Sequence, residues 1–156
     1  MELACSDQLH HPIAVKIRIR RLNPDVELPR YQTAGSAAFD LAASEPVTIA
    51  PGEVRLVPTG LAIEVPAGMF LGIFARSSTP LKRGLMVANG VGVIDSDYCG
   101  PQDEVKVAVI NVTGAAVTVS VGDRIAQGIV LPAPRIEWEE VADLRSDSRG
   151  GFGATG

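Results

Sequence analysis

The chain has 156 residues, 46% of them hydrophobic and 21% charged, with a formal net charge of -4. That length supports one domain with a real core, the apolar content excludes a disordered chain, and the acidic balance excludes a broad nucleic-acid footprint. An anionic ligand would have to be held by local donors.

The N-terminal residues carry Glu2, Asp7, His10 and His11 where a signal peptide needs an apolar run, and no stretch reaches membrane-spanning length. A soluble protein of the cytoplasm, or of the nucleus in a eukaryote or virus, is expected, with no membrane partner. Cys5 and Cys99 lie far apart and suit a reducing compartment better than a disulfide scaffold. The His10-His11 pair lacks the neighbouring ligands of a metal site and reads as a surface pair.

From Ile13 to Arg21, Ile13, Val15, Ile17 and Ile19 alternate with Lys16, Arg18 and Arg20, which predicts a half-buried strand. In QTAGSAAFDLAA, Gly35 and its small neighbours allow tight backbone packing before Asp40. Val47–Ile49, a Pro51-Gly52 turn and Val54–Val57 predict a hairpin. Strands over Leu61–Val65 and Met69–Ala75 follow, joined through Pro66-Ala67-Gly68, and Ser77–Lys82 predicts a short helical turn. Leu85–Val87 leads into NGVGVIDSDYCG, and Glu104–Val112, Val117–Val121 and Ile125–Pro132 complete the set. Many short strands with Pro/Gly turns predict an all-β sandwich or barrel, a jelly roll by preference.

Chemistry collects at few places. In Asn89–Gly100, Gly90 and Gly92 let a flat group approach the backbone of Val91, Val93 and Ile94, and a strand would put Asp95 and Asp97 on one face. The alternative for that pair is a solvated strand end blunting a sheet edge. Arg76-Ser77-Ser78 combines a guanidinium fork with hydroxyls, as a phosphate site does, against the alternative of a strand-end arginine paired to a carboxylate. In GDRIAQ the alternative is a hairpin with an internal ion pair, although Gln127 needs a partner if buried. The tail RGGFGATG is either disorder or a ligand-closing arm.

Taken together, AGSAAFDL, ARSS, NGVGVIDSDYCG, GDRIAQ and RGGFGATG resemble, in order and spacing, the five motifs of the homotrimeric dUTPase family, and LVPTGLAIEVP between them is similar as well. The resemblance covers the chain from about Leu28 to Gly156. It implies a jelly-roll domain over residues 13–142, an extension over 1–12, and an arm over 143–156 that closes a neighbouring copy's site. The implied reaction is dUTP plus water giving dUMP and pyrophosphate, which keeps uracil out of DNA and supplies dUMP for thymidylate synthesis. Mg2+ would bind through the substrate phosphates and water, and three copies would share each site.

By the same resemblance Asp95 is the general base, with Gln127 and Arg76 beside it in catalysis. Ser77 and Ser78 hold phosphates. Asn89, Gly90, Val91, Gly92, Val93 and Ile94 read uracil from a hairpin, and Tyr98 lies under the deoxyribose. Phe152 stacks on the base, Arg149, Gly150 and Gly151 cover the outer phosphates, and Asp40 orders the surroundings of metal and phosphate. Two departures stand out. Arg149 is two residues nearer to Phe152 than in the family's form, which leaves Arg145 as the alternative phosphate ligand, and Pro101-Gln102-Asp103 is an insertion. The rivals are a dCTP deaminase of the same fold, against which VIDSDY speaks, and a silent β-sandwich used for binding.

Overall fold

The computed structural model describes residues 15–144. Alternation dictates where each strand goes. In β9 (Lys106–Asn111) Val107, Val109 and Asn111 are buried while their neighbours face outward, the period-two pattern of a half-buried strand. β9 is the centre of a three-stranded antiparallel sheet with β4 (Val54–Pro58) and β7 (Leu85–Val87). A second sheet runs β2 (Phe39–Ala42), β11 (Arg124–Pro132), β6 (Met69–Phe74), β8 (Gly92–Ile94). Two-stranded pairs of β1 (Arg18–Arg21) with β5 (Leu61–Glu64), and of β3 (Val47–Ile49) with β10 (Val117–Val119), complete the roll. The expected all-β jelly roll is what the chain forms.

One core fills it, with Leu41, Ile49, Leu71, Leu85, Val105 and Ile125 fully buried. Each such side chain contributes about 1.5–3 kcal/mol by leaving water. In β11 the register shifts between Arg124 and Ala126, and this bulge lets the consecutive Ile125 and Ala126 both turn inward. Asn111 is one of four buried polar residues among those described, with Ser44, Thr59 and Thr79. Its amide donates to the carbonyls of Ile49 (2.9 Å) and Ala115 (2.7 Å) and accepts from the Thr113 hydroxyl and N–H, so nothing polar is left bare.

Two expectations need correction, and one alternative falls. The alternation at the N-terminal end is right, with Ile17 and Ile19 packed on the core, but the strand covers only Arg18–Arg21 because its partner β5 ends at Glu64. β3 and β4 do not form a hairpin: β3 pairs with β10 and β4 with β9, and the Pro51-Gly52 turn is a corner between sheets, held by Gly52 N–H on the Asn111 carbonyl. GDR is likewise no hairpin, since β10 and β11 lie in different sheets. β2 was hidden among the small residues of AGSAAFDL. The helical turn after Ser77 is one π-helical turn, Thr79–Arg83, ended by Gly84 in the left-handed conformation.

Candidate active site

The glycine-rich stretch enters from β7 through a turn in which Gly90, at φ 72°, donates to the Val87 carbonyl. The strands flanking that turn belong to different sheets, so the expected Asn89–Val93 hairpin is instead a tight connection between layers. Gly92 is buried opposite Ile73, and a Cβ there would sit 3.1 Å from the Ile73 Cβ, so any side chain would have to push Ile73 aside by a few tenths of an ångström. Among the described residues β8 is the last strand of its sheet, which leaves one side of its backbone without a strand partner there. Beside it a cavity of about 120 Å³ is lined by Asn89, Gly92, Val93 and Ile94.

β8 ends at Ile94, and Asp95 opens a turn closed by the Tyr98 N–H on the Asp95 carbonyl at 3.2 Å. Asp95 and Asp97 therefore do not share a strand face as the spacing predicted; the local turn won over extension. Both carboxylates are exposed. Tyr98 is 40% exposed and its hydroxyl donates to the Glu104 carbonyl at 3.2 Å.

The phosphate-type residues gather at a different place, around β11. Gln127 lies across from Asp40 on one side and Phe74 on the other. Arg76, two residues beyond Phe74, meets the Asp40 carboxylate at 2.6 Å through Nε and donates to the Arg124 carbonyl at 3.2 Å. Arg124 takes the second Asp40 oxygen at 3.1 Å. Two guanidinium groups on one carboxylate leave a net positive charge here. The Gln127 amide donates to the Ala75 carbonyl at 3.0 Å, the partner this polar residue needed. Ser77 is exposed and Ser78 half-buried at the start of the π-helical turn.

Within one chain the β6–β8 register sends the two groups in opposite directions. In the antiparallel β6–β8 pair Ile94 faces Leu71, so Asp95 leaves at one end while Ser77 leaves beyond Phe74 at the other. From Leu71 to Phe74 the strand alone spans about 10 Å at about 3.3 Å per residue.

Sequence reading missed three supporting residues. Arg83 grips Asp123 with two bonds of 2.7 Å each, so the Asp of GDR pairs across the fold and not within its own turn. That bidentate bond, aided by the Ser120 N–H and opposed by burial, holds the Asp123 carboxyl below the usual carboxylate range, and it raises Arg83 in turn. Arg124 and Glu104 are the other two, and no local signal marks any of the three, because their partners are distant in sequence. Among the described residues no three His, Cys, Asp or Glu side chains converge as a metal cage. Cys99 is free and exposed. Arg149, Gly150, Gly151 and Phe152, with Arg145 and Cys5, lie outside the described residues.

A dUTPase family profile matches residues 24–156. The deoxyuridine 5'-triphosphate nucleotidohydrolase of Anaeromyxobacter sp. (strain Fw109-5) is 49% identical over 148 residues, covering 93% of this chain and 99% of the relative. Among solved structures, the dUTPase of Streptococcus mutans superposes with a TM-score of 0.70 at 34% identity, over 78% of this chain and 98% of its own. The dUTPase of phage phi11 of S. aureus, studied for its coordination of a structural Mg(II) ion, shares the fold at a TM-score of 0.74 and 20% identity, over 83% and 98% of the two chains. Fold and family profile agree on a class of jelly-roll nucleotide hydrolases. The chain belongs to the dUTPase family, the nucleotidohydrolases that convert dUTP to dUMP and pyrophosphate.

Proposed function

We infer that the chain hydrolyses dUTP by attack of water on the α-phosphorus, in sites divided among three copies of itself. The observation that carries the reading is the edge position of β8, whose free backbone side can pair with a flat base as another strand would. Asn89 and the backbone of Gly90, Val91, Gly92, Val93 and Ile94 read uracil there. Thymine's methyl meets packed backbone, and cytosine presents the wrong donor pattern and leaves polar groups unpaired. Tyr98 lies under the deoxyribose.

Asp95, exposed at the end of that wall, accepts the proton of the attacking water. The phosphates meet a neighbouring copy's Arg76, Ser77 and Ser78, where the shared Asp40 fixes Arg76 in place and Gln127 orients groups beside it. Asp40, engaged by two arginines, belongs to the surroundings of the metal and phosphates, and a divalent cation arrives on the phosphates and keeps its waters. Mg2+ bound in that way neutralises phosphate charge. From sequence alone, Phe152 closes over the base and Arg149, Gly150 and Gly151 over the outer phosphates, with Arg145 as the alternative cation.

Measuring pyrophosphate release with Mg2+ from the four common dNTPs, dUTP and UTP tests the reading. Release confined to dUTP is expected. Comparable release from dTTP or UTP, or ammonia release from dCTP, contradicts it.

A further inference from the structure

Between the third motif and β9 lies the loop from Gly100 to Glu104, which contains the inserted Pro101-Gln102-Asp103 and has no task in the reading above. The Tyr98 hydroxyl donates to the Glu104 carbonyl, so the plane of a ring that is 40% exposed depends on where the peptide after Glu104 sits. That peptide is tied down from several sides. The Glu104 carboxylate accepts from the Gly60 N–H at 2.7 Å and lies 3.6 Å from the Lys106 ammonium. Val105 donates to the Leu61 carbonyl at 2.8 Å and accepts from the buried Thr59 hydroxyl at 2.6 Å. Gly60 itself, at φ 67°, has no room for a Cβ, which would fall 2.7 Å from Val26 Cγ2.

The insertion closes the other flank. Asp103 accepts from the Gly100 N–H at 2.7 Å and donates its own N–H to the Gly100 carbonyl at 3.2 Å, while Glu104 N–H donates to the Gln102 carbonyl at 2.8 Å. These bonds fix the length of chain between Tyr98 and its acceptor. We propose that Asp103 and Glu104 are positioning residues that hold Tyr98 rigid and thereby set discrimination against a ribose 2'-hydroxyl. The proposal rests on the sugar-facing role of Tyr98 given above. Steric exclusion of one hydroxyl fails if the ring can retreat by a fraction of its own thickness, and a loosened loop permits that retreat without disturbing the attacking water.

The experiment compares steady-state hydrolysis of dUTP and UTP, with Mg2+, by the full-length wild type, Asp103→Ala, Asp103→Asn and Tyr98→Phe. Asp103→Ala narrows the dUTP-over-UTP ratio of kcat/KM by about three- to tenfold, the scale of the neutral Tyr98–Glu104 hydrogen bond that a loosened loop gives up, chiefly through a lower KM for UTP. Asp103→Asn, whose amide oxygen still accepts from Gly100, returns the ratio to near wild type. Tyr98→Phe removes the bond to Glu104 without touching the loop and narrows the ratio comparably. A purely structural role would lower the melting temperature and the kcat for both substrates alike, leaving the ratio unchanged. An unchanged ratio in Asp103→Ala or in Tyr98→Phe overturns the proposal, and if Asp103→Ala does not fold, Tyr98→Phe decides alone. A wild type that releases no pyrophosphate from dUTP overturns the underlying reading instead.

Discussion

Asp95 stands exposed at the first position of a turn, one residue past the edge strand proposed to hold the base, and no protein group among the described residues bonds its side chain. A carboxylate so placed is free to take a proton from water. Asp95→Asn should lower kcat by about 10²–10⁴-fold, the usual worth of a general base, while a non-hydrolysable dUTP analogue binds nearly as before. Turnover within a few-fold of wild type, with unaltered analogue binding, would remove Asp95 from that role. Asp97 is as acidic and lies exposed in the same turn, and the motif resemblance is what singles out Asp95. The motif residues could be picked out of the sequence because each is marked locally, by a reactive side chain or by glycine spacing. Arg83, Arg124 and Glu104 were not, because each acts through a partner that the fold supplies from tens of residues away.

At the level of elements, the pairing of strands was less legible than the strands themselves. Period-two burial in β9 could be read directly, but the choice between a local hairpin and a corner depends on which distant strand offers a better partner, as β10 does for β3. The Arg83–Asp123 pair ties the π-helical turn to the entrance of β11, close to the phosphate-type cluster. Since the folded Asp123 carboxyl titrates below its unfolded value, its contribution is fully present above the unfolded value and is lost as pH falls through the folded one. Arg83, raised by the same contact, keeps its charge throughout that window. Asp123→Asn should therefore be less stable than wild type by about 1–2 kcal/mol at neutral pH, with allowance for partial exposure, and the gap should shrink as pH falls below about 4. Thermal melts across that range check it, and a gap independent of pH would show that the pair does not act through charge.

For the whole molecule, the jelly roll was legible from the rhythm of short strands and turns, and the sharing of a site among copies was expected from the motif resemblance, whereas the end of a strand pair from which each motif leaves needed the register. The β6–β8 register separates Asp95 from Ser77. Two further features suit an assembly. Val54, Ile110 and Met86 form an apolar row across the outer face of the three-stranded sheet, with Val54 55% and Met86 49% exposed. Beyond β11, Ile136 and Trp138 project from a segment that pairs with no strand among the described residues, and Trp138 is 89% exposed. The central claim is that a site is complete only between copies, so the direct measurement is complementation. Asp95→Asn and Ser77→Ala chains, each nearly inactive alone, are exchanged in equal amounts and assayed for pyrophosphate release from dUTP. If each site takes these residues from different copies of a closed ring, about a quarter of the sites regain both, and activity rises to about a quarter of wild type. Activity no higher than that of the separate variants, with subunit exchange verified, would mean that each chain carries a self-contained site.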